Sequence, residues 1–125
     1  MKFVKNGEKI NLYNDADKLL STCTIHEKGN VWTISAWFTA KDELHKGFGK
    51  MVMREAVRRL LLGGKPARIE YIWNGANAYV YDWMVSHFDA KNTCPLAILK
   101  MSDEDSWESH VYDFNVNKFL AYYIN

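Results

Sequence analysis

The segment Trp37-Phe38-Thr39-Ala40-Lys41-Asp42-Glu43-Leu44-His45-Lys46-Gly47-Phe48-Gly49-Lys50 holds the residues best placed for chemistry. Gly47 and Gly49 stand one residue apart, between a β-rich run and a helical period. A glycine pair there lets the backbone approach a ligand closely, and the first N–H groups of the helix that follows form an anion site. That geometry suits a pyrophosphate. His45, Lys46 and Lys50 place positive charge around it and would add charge-assisted hydrogen bonds. A bare Gly-x-Gly also serves as a plain tight turn beside solvated lysines, so the flanking elements must decide between the two.

Other combinations offer less. Cys94 and His110 are the residue types of thiol chemistry, but only proximity in space would join them, and they stay outside the expected site. Cys23 and Cys94 have neither zinc-ligand spacing nor a CxxC arrangement, and both read as reduced and structural. His26, His45, His87 and His110 are scattered, so no metal site is expected. Trp32 alternates with core residues, which makes packing its explanation. Arg54, Arg58 and Arg59 form a basic helical surface. With a formal net charge of +1 this is a solvated face, and nucleic acid is not an expected partner.

The elements that must position the glycine pair follow from periodicity. In Met1–Tyr13 short alternating pieces put Ile10 and Leu12 on one face of a strand. Leu19–Glu27 and Val31–Thr39 are β-rich runs joined by Lys28-Gly29-Asn30, suitable turn chemistry for an antiparallel hairpin. In the second run Trp32, Ile34, Ala36 and Phe38 form the apolar alternate set and are expected in the core. After a linker, Phe48, Val52, Ala56, Val57 and Leu60 share a helical face, and Gly63-Gly64 with Pro66 stop that helix. Ala67–Trp73 reads as a strand, Ala76–His87 as a helix with Asn74 as its cap, and Leu96–Met101 as another strand. The polar, acidic stretch Ser102–Ser109 reads as a loop. His110–Asp113 can finish a strand, and Val116, Phe119, Leu120 and Tyr123 have the spacing of a short helix. A meander feeding a strand–helix–strand–helix unit makes an α+β domain.

At 125 residues, one domain over 1–125 with one core is expected. Hydrophobic residues make up 48% and charged residues 25%, which excludes a disordered chain. No apolar run approaches the ~20 residues that span a bilayer, and the first twenty residues are not those of a signal peptide. A cytoplasmic location and no membrane partner are expected.

The glycine segment resembles the acetyl-coenzyme A motif of the Gcn5-related N-acetyltransferases: Arg or Gln, two residues, Gly, one residue, then Gly or Ala. Gly47 and Gly49 match, whereas Leu44 stands where the family has Arg or Gln, with His45 and Lys46 as nearby polar residues. The helix Lys50–Leu62 and the strand Ile69–Trp73 follow in family order. The run Asn77-Ala78-Tyr79-Val80-Tyr81-Asp82-Trp83-Met84-Val85-Ser86-His87-Phe88 is similar to the family's Asn, Ala, Tyr and Gly-Phe helix, with His87 in place of Gly. Two motifs in the right order carry the resemblance across about residues 31–90.

The resemblance implies an acyl-CoA N-acyltransferase-like fold, a mixed, mostly antiparallel sheet with flanking helices, and acetyl-CoA as cosubstrate. It further implies that the strand carrying Trp37, Phe38 and Thr39 splays from its neighbour and pairs by its backbone with the pantetheine arm. The turn from Leu44 through His45, Lys46, Gly47, Phe48 and Gly49 to Lys50 would hold the pyrophosphate, and Asn77 would meet the pantetheine or thiol end. Tyr81 is the first choice for the acid that protonates the departing thiolate and Tyr79 the second. Counted back from Phe88, Trp83 occupies the family's tyrosine position, and an indole N–H is no acid. Glu70 is the nearest carboxylate for a base, although Tyr71 and Trp73 share the opposite strand face; water is the alternative. Family members wall the acceptor site with helices between the first two strands, whereas this chain has only about residues 14–17 for that purpose. The open side suits a primary amine on a protein or a small molecule, or a site completed in a homodimer. It equally suits a module that binds acetyl-CoA without catalysis. A third reading, a CoA-free protein-interaction domain, rests on the aromatic content and the acidic 103–105 stretch.

Overall fold

The computed structural model describes residues 1–73, 78–93 and 110–124. Its strands are β1 (Lys2–Asn6), β2 (Lys9–Tyr13), β3 (Leu19–Lys28), β4 (Val31–Thr39), β5 (Arg68–Trp73), β6 (Lys91–Asn92) and β7 (His110–Phe114). Its helices are α1 (Phe48–Leu60), α2 (Ala78–Phe88) and α3 (Val116–Ile124), with short 3-10 turns at Lys41–Glu43 and Leu61–Gly63. The sheet order is β1-β2-β3-β4-β5-β7-β6. Among the described strands only β4 and β5 are parallel neighbours, and α1 makes the crossover that joins them.

The hairpin forms where turn chemistry places it: Gly29 sits at φ +61, a left-handed conformation that favours glycine, and Lys28 pairs with Val31. Helix α1 ends at Leu60, and Gly64 at φ 113 turns the chain out of the last 3-10 turn. Val52, Met53, Ala56 and Val57 are buried on α1, which packs on β2, β3 and β4. The expected terminal helix is α3, with Phe119, Leu120 and Tyr123 buried. An aromatic centre of Phe88, Phe114, Phe119 and Tyr123 ties α2, β7 and α3 together, with Phe88 and Phe119 centroids 5.2 Å apart and Phe119 and Tyr123 4.8 Å apart.

One expectation is corrected. Trp32 and Ile34 are buried, but Phe38 is 66% exposed and Trp37 packs against the core instead. The reason is a bulge. Ile25 pairs with Ile34 and Thr24 with Ala36, leaving Ser35 unmatched, so the alternation of β4 reverses beyond it. The two-residue strand β6 was not foreseen. The cap at Asn74, the site residue Asn77, Cys94, and the segments Leu96–Met101 and Ser102–Ser109 lie outside the described residues.

The helices share one face of the sheet. On the other, Asn11, Thr22, Thr33, Phe38 and Glu70 lie with no described helix above them. Strands β1 and β2 connect through Gly7 and Glu8, and β2 and β3 through residues 14–18, so neither connection contains a helix.

Glu55 is a nearly buried carboxylate on α1 that accepts from Arg58 Nη2 at 2.7 Å and Arg59 Nε at 2.9 Å. Burial works to raise its pKa, but hydrogen bonds from Arg59 and Arg58 outweigh that and hold it below the usual glutamate value. A depressed folded pKa contributes stability above the ordinary value that is lost as pH falls through the depressed one. Glu55→Gln should therefore cost about 1–3 kcal/mol at pH 7 in urea titrations, and the difference from wild type should shrink in acid, below the ordinary glutamate range.

Candidate cofactor cleft

The cleft begins where β4 and β5 part. Their parallel pairing runs from Val31 with Arg68 to Ile34 with Tyr71, then stops, although β4 continues to Thr39 and β5 to Trp73. The bulge at Ser35 sits at that stop. Beyond it, no strand among the described residues pairs with the β5 side of residues 35–39. A backbone edge of this kind takes an extended ligand as an added strand.

Above that edge stands the start of α1. Gly47 is the N-cap in a left-handed conformation, φ 84, and no side chain caps the helix. The first helical bond is Met51 N–H to the Gly47 carbonyl, 3.1 Å. The N–H groups of Phe48, Gly49 and Lys50 therefore have no acceptor within the helix, and the positive end of its dipole faces the same way. Here the glycine pair divides its labour. Gly47 supplies the positive φ, and a Cβ added there would meet nothing within 4 Å. Gly49 supplies closeness, because an added Cβ would lie 3.2 Å from Thr39 Oγ1. Trp37 Nε1 donates to the Gly49 carbonyl at 3.1 Å and fastens α1 to β4.

The charges expected around the turn are engaged elsewhere. Lys46 Nζ lies 2.9 Å from Glu43, and Lys18 binds both Asp42 and Glu43. The hydrogen bond from Lys18 holds Asp42 below its usual pKa, and those from Lys46 and Lys18 do the same for Glu43, so both acids remain ionised and the group is electrically balanced. Lys50 Nζ stands 4.4 Å over the Tyr122 ring, a cation–π contact. His45 is exposed at φ 64, and Leu44 is 48% exposed. What the turn offers an anion is chiefly its backbone N–H groups.

Tyr79 and Tyr81 lie on α2, as expected. Glu70 stands on the bare face of the sheet, where it accepts from Thr33 Oγ1 at 2.8 Å and pairs with Arg68 at 3.1 Å. Tyr71 and Tyr123, which spacing did not single out for the site, lie at its mouth beside Trp37. Trp37 is 6.0 Å from Tyr71 and 6.0 Å from Tyr123, centroid to centroid. Burial pushes the Tyr71 hydroxyl up to about 12 and raises that of Tyr123 further. Cys23, cross-strand partner of Trp37, is likewise buried and raised to about 12, with its thiol directed to the Val52 carbonyl. A separate hollow of about 250 Å3, floored by Ile10, Ile25, Ala56 and Leu60, lies toward the opposite end of α1. Among the described residues no cluster of His, Cys, Asp or Glu could hold a metal, and no helix is long and apolar enough to cross a membrane.

Solved structures with this architecture include nourseothricin acetyltransferase (TM-score 0.66, 14% identity, covering 85% of this chain and 63% of that one). A putative GNAT-family acetyltransferase from Desulfovibrio desulfuricans matches with TM-score 0.63 and 14% identity, over 86% and 68%. N-acetylglutamate synthase from Neisseria gonorrhoeae, solved with coenzyme A and N-acetyl-glutamate, matches with TM-score 0.61 and 12% identity, over 87% and 26%. The fold is that of the Gcn5-related N-acetyltransferases. At these identities the likeness is one of fold, and the chain spans less than two-thirds of the synthase and of the nourseothricin enzyme. No protein-family model matches the sequence, and no curated protein sequence does so either.

The Gly49–Thr39 approach yields a double-mutant test. Gly49→Ala should be costlier, by up to about 1–3 kcal/mol of overpacking against the helix preference it gains, than the same change in a Thr39→Ala background, which removes the obstructing oxygen. Equal losses in both backgrounds, read by urea denaturation, would exclude that contact as the cause.

Proposed function

We propose that the chain binds acetyl-CoA and transfers its acetyl group to a primary amine. The observation that carries this reading is a coincidence in space: the edge of β4 that no described strand pairs and the start of α1 that no side chain caps meet at one place. The first suits an extended amide-bearing arm and the second suits a pyrophosphate. The N–H groups of Phe48, Gly49 and Lys50 would hold the phosphates, and the backbone of Trp37, Phe38 and Thr39 the pantetheine, with Asn77 near its thiol end.

Bound acetyl-CoA supplies a thioester whose carbonyl carbon bonds to the amine nitrogen as the C–S bond breaks, the amine losing a proton and the thiolate gaining one. The chain orients the reactants and handles protons. Tyr81, with Tyr79 second, is the proposed donor to the thiolate. Glu70 is tied to Thr33 and Arg68, so water is the better acceptor for the amine proton. The bare sheet face, with Phe38 exposed on it, suits an acceptor too large for an enclosed pocket, such as an amine on a protein. The ties on Glu70 and the Leu44 departure favour, as a second reading, a module that binds acetyl-CoA without transfer.

Calorimetry with acetyl-CoA tests the binding, and a thiol-release assay with mixed amines separates the two readings. Gly47→Glu, which puts a side chain and negative charge beside the N–H groups, should abolish binding in a folded protein; unchanged affinity would remove the cleft from consideration. Tyr81→Phe should lower turnover by roughly 10²–10⁴-fold, typical of a positioned general acid, and leave acetyl-CoA affinity nearly unchanged. A fall at Tyr79→Phe alone would move the acid role to that residue.

A further inference from the structure

At the end of α1 remote from the cleft, the helix side of the sheet is incompletely covered. The β1–β2 turn, with Gly7 at φ 62, is fastened to β3 by Ile25 N–H, which donates to the Glu8 carbonyl at 3.2 Å. Between that corner and the last turns of α1 lies the hollow of about 250 Å3. Ala56 and Leu60 of α1 face it, and Ala56 brings only a methyl group to fill it. Ile10, Ile25 and Ala56 belong to the buried core, so the floor is apolar. Water on such a floor finds few hydrogen-bond partners, and an apolar group that displaces it gains affinity.

The rim is charged. Lys5, Glu8, Glu27 and Arg59 line it, and their formal charges cancel. Glu8 pairs with His26, and Arg59 gives its Nε to Glu55. Among the described residues Lys5 and Glu27 take part in no ion pair, and the terminal nitrogens of Arg59 have no acceptor. Acids elsewhere are matched, as Asp17 is by Lys2 and Asp89 by Lys118. An unmatched base on β1 and an unmatched acid on β3 thus flank an apolar floor, with β2 between them. We infer that this hollow binds a small zwitterion with an apolar side chain, an α-amino acid of about leucine's size. Its ammonium meets Glu27, its carboxylate meets Lys5 and the free nitrogens of Arg59, and its side chain lies on Ile10, Ile25 and Ala56. A rim of zero net charge complements a ligand of zero net charge, and charge-assisted hydrogen bonds at both heads fix its orientation. The site is separate from the cleft and does not depend on the acetyl-CoA reading.

Titration of the isotope-labelled full chain, followed by NMR, tests this directly. With L-leucine the amide signals of Ile10, Ile25 and Ala56 should move and saturate. Leucinamide lacks the carboxylate, N-acetyl-leucine lacks the ammonium and glycine lacks the side chain; each should bind at least about tenfold more weakly. Glu27→Gln and Lys5→Met break no ion pair, so both should fold as wild type does, and each should weaken leucine by about tenfold. Glu27→Gln should leave the residual binding of N-acetyl-leucine unchanged, because that ligand has no ammonium for Glu27 to meet. If leucine gives no saturable shift at tens of millimolar, the hollow is not a site for it. If any of the three analogues binds as tightly as leucine, or if Glu27→Gln leaves leucine affinity unchanged, the zwitterion assignment is wrong. The ligand series on wild type decides between these outcomes even where a variant fails to fold.

Discussion

Strand β4 carries one residue too many to stay in step with both neighbours. With Ser35 unmatched against β3, the strand bends, and its pairing with β5 ends at Ile34, the residue before the bulge. Three consequences share that origin. Among the described residues no strand then pairs with the β5 side of residues 35–39. Trp37 turns to the helix side, where its indole N–H finds the Gly49 carbonyl. Phe38 turns to the bare side. The start of α1 is thereby fixed over the open edge by the same irregularity that opens it, so cleft and anion site cannot be moved independently.

The frame around the cleft is rigid for ordinary reasons. α1 is pinned by the burial of Val52, Met53, Ala56 and Val57, and its nearly buried Glu55 is satisfied within the helix by Arg58 and Arg59. The basic surface expected at Arg54, Arg58 and Arg59 is therefore partly an internal neutralising device. On the far side of the cleft the cluster of Phe88, Phe114, Phe119 and Tyr123 locks α2 and α3 to β7. The two sides belong to one continuous core, joined by Trp37 against Tyr123 and Lys50 over Tyr122.

Local patterns made much of this legible. The β3–β4 hairpin announces itself through Lys28-Gly29-Asn30, α1 through its apolar period and its glycine stops, and α3 through Val116, Phe119, Leu120 and Tyr123. The glycine pair was readable as a phosphate turn. That Gly49 is needed for its closeness to Thr39 was not, because a contact between a strand end and a helix start is tertiary. Phe38 shows the limit of alternation: Trp37 and Phe38 are both aromatic, so their sequence cannot say which faces inward once a bulge reverses the parity. The charges at Lys46 and Lys50 were similarly ambiguous. Glu43, three residues before Lys46, was a local sign of its pairing, whereas the Tyr122 ring beneath Lys50 comes from a distant part of the chain.

The buried Cys23 has a bearing on chemical durability. Acyl thioesters transfer their acyl group to accessible thiolates without any enzyme, and a cysteine on the strand next to an acetyl-CoA arm would be the first such nucleophile met. Cys23 is directly opposite Trp37, yet its sulfur points under α1 and burial raises its pKa to about 12. At neutral pH that leaves on the order of one molecule in a hundred thousand as thiolate. The strand that would bear the ligand's backbone contacts is thus flanked by sulfur the ligand cannot consume, and repeated exposure to a reactive ester would leave the chain unmarked at that position.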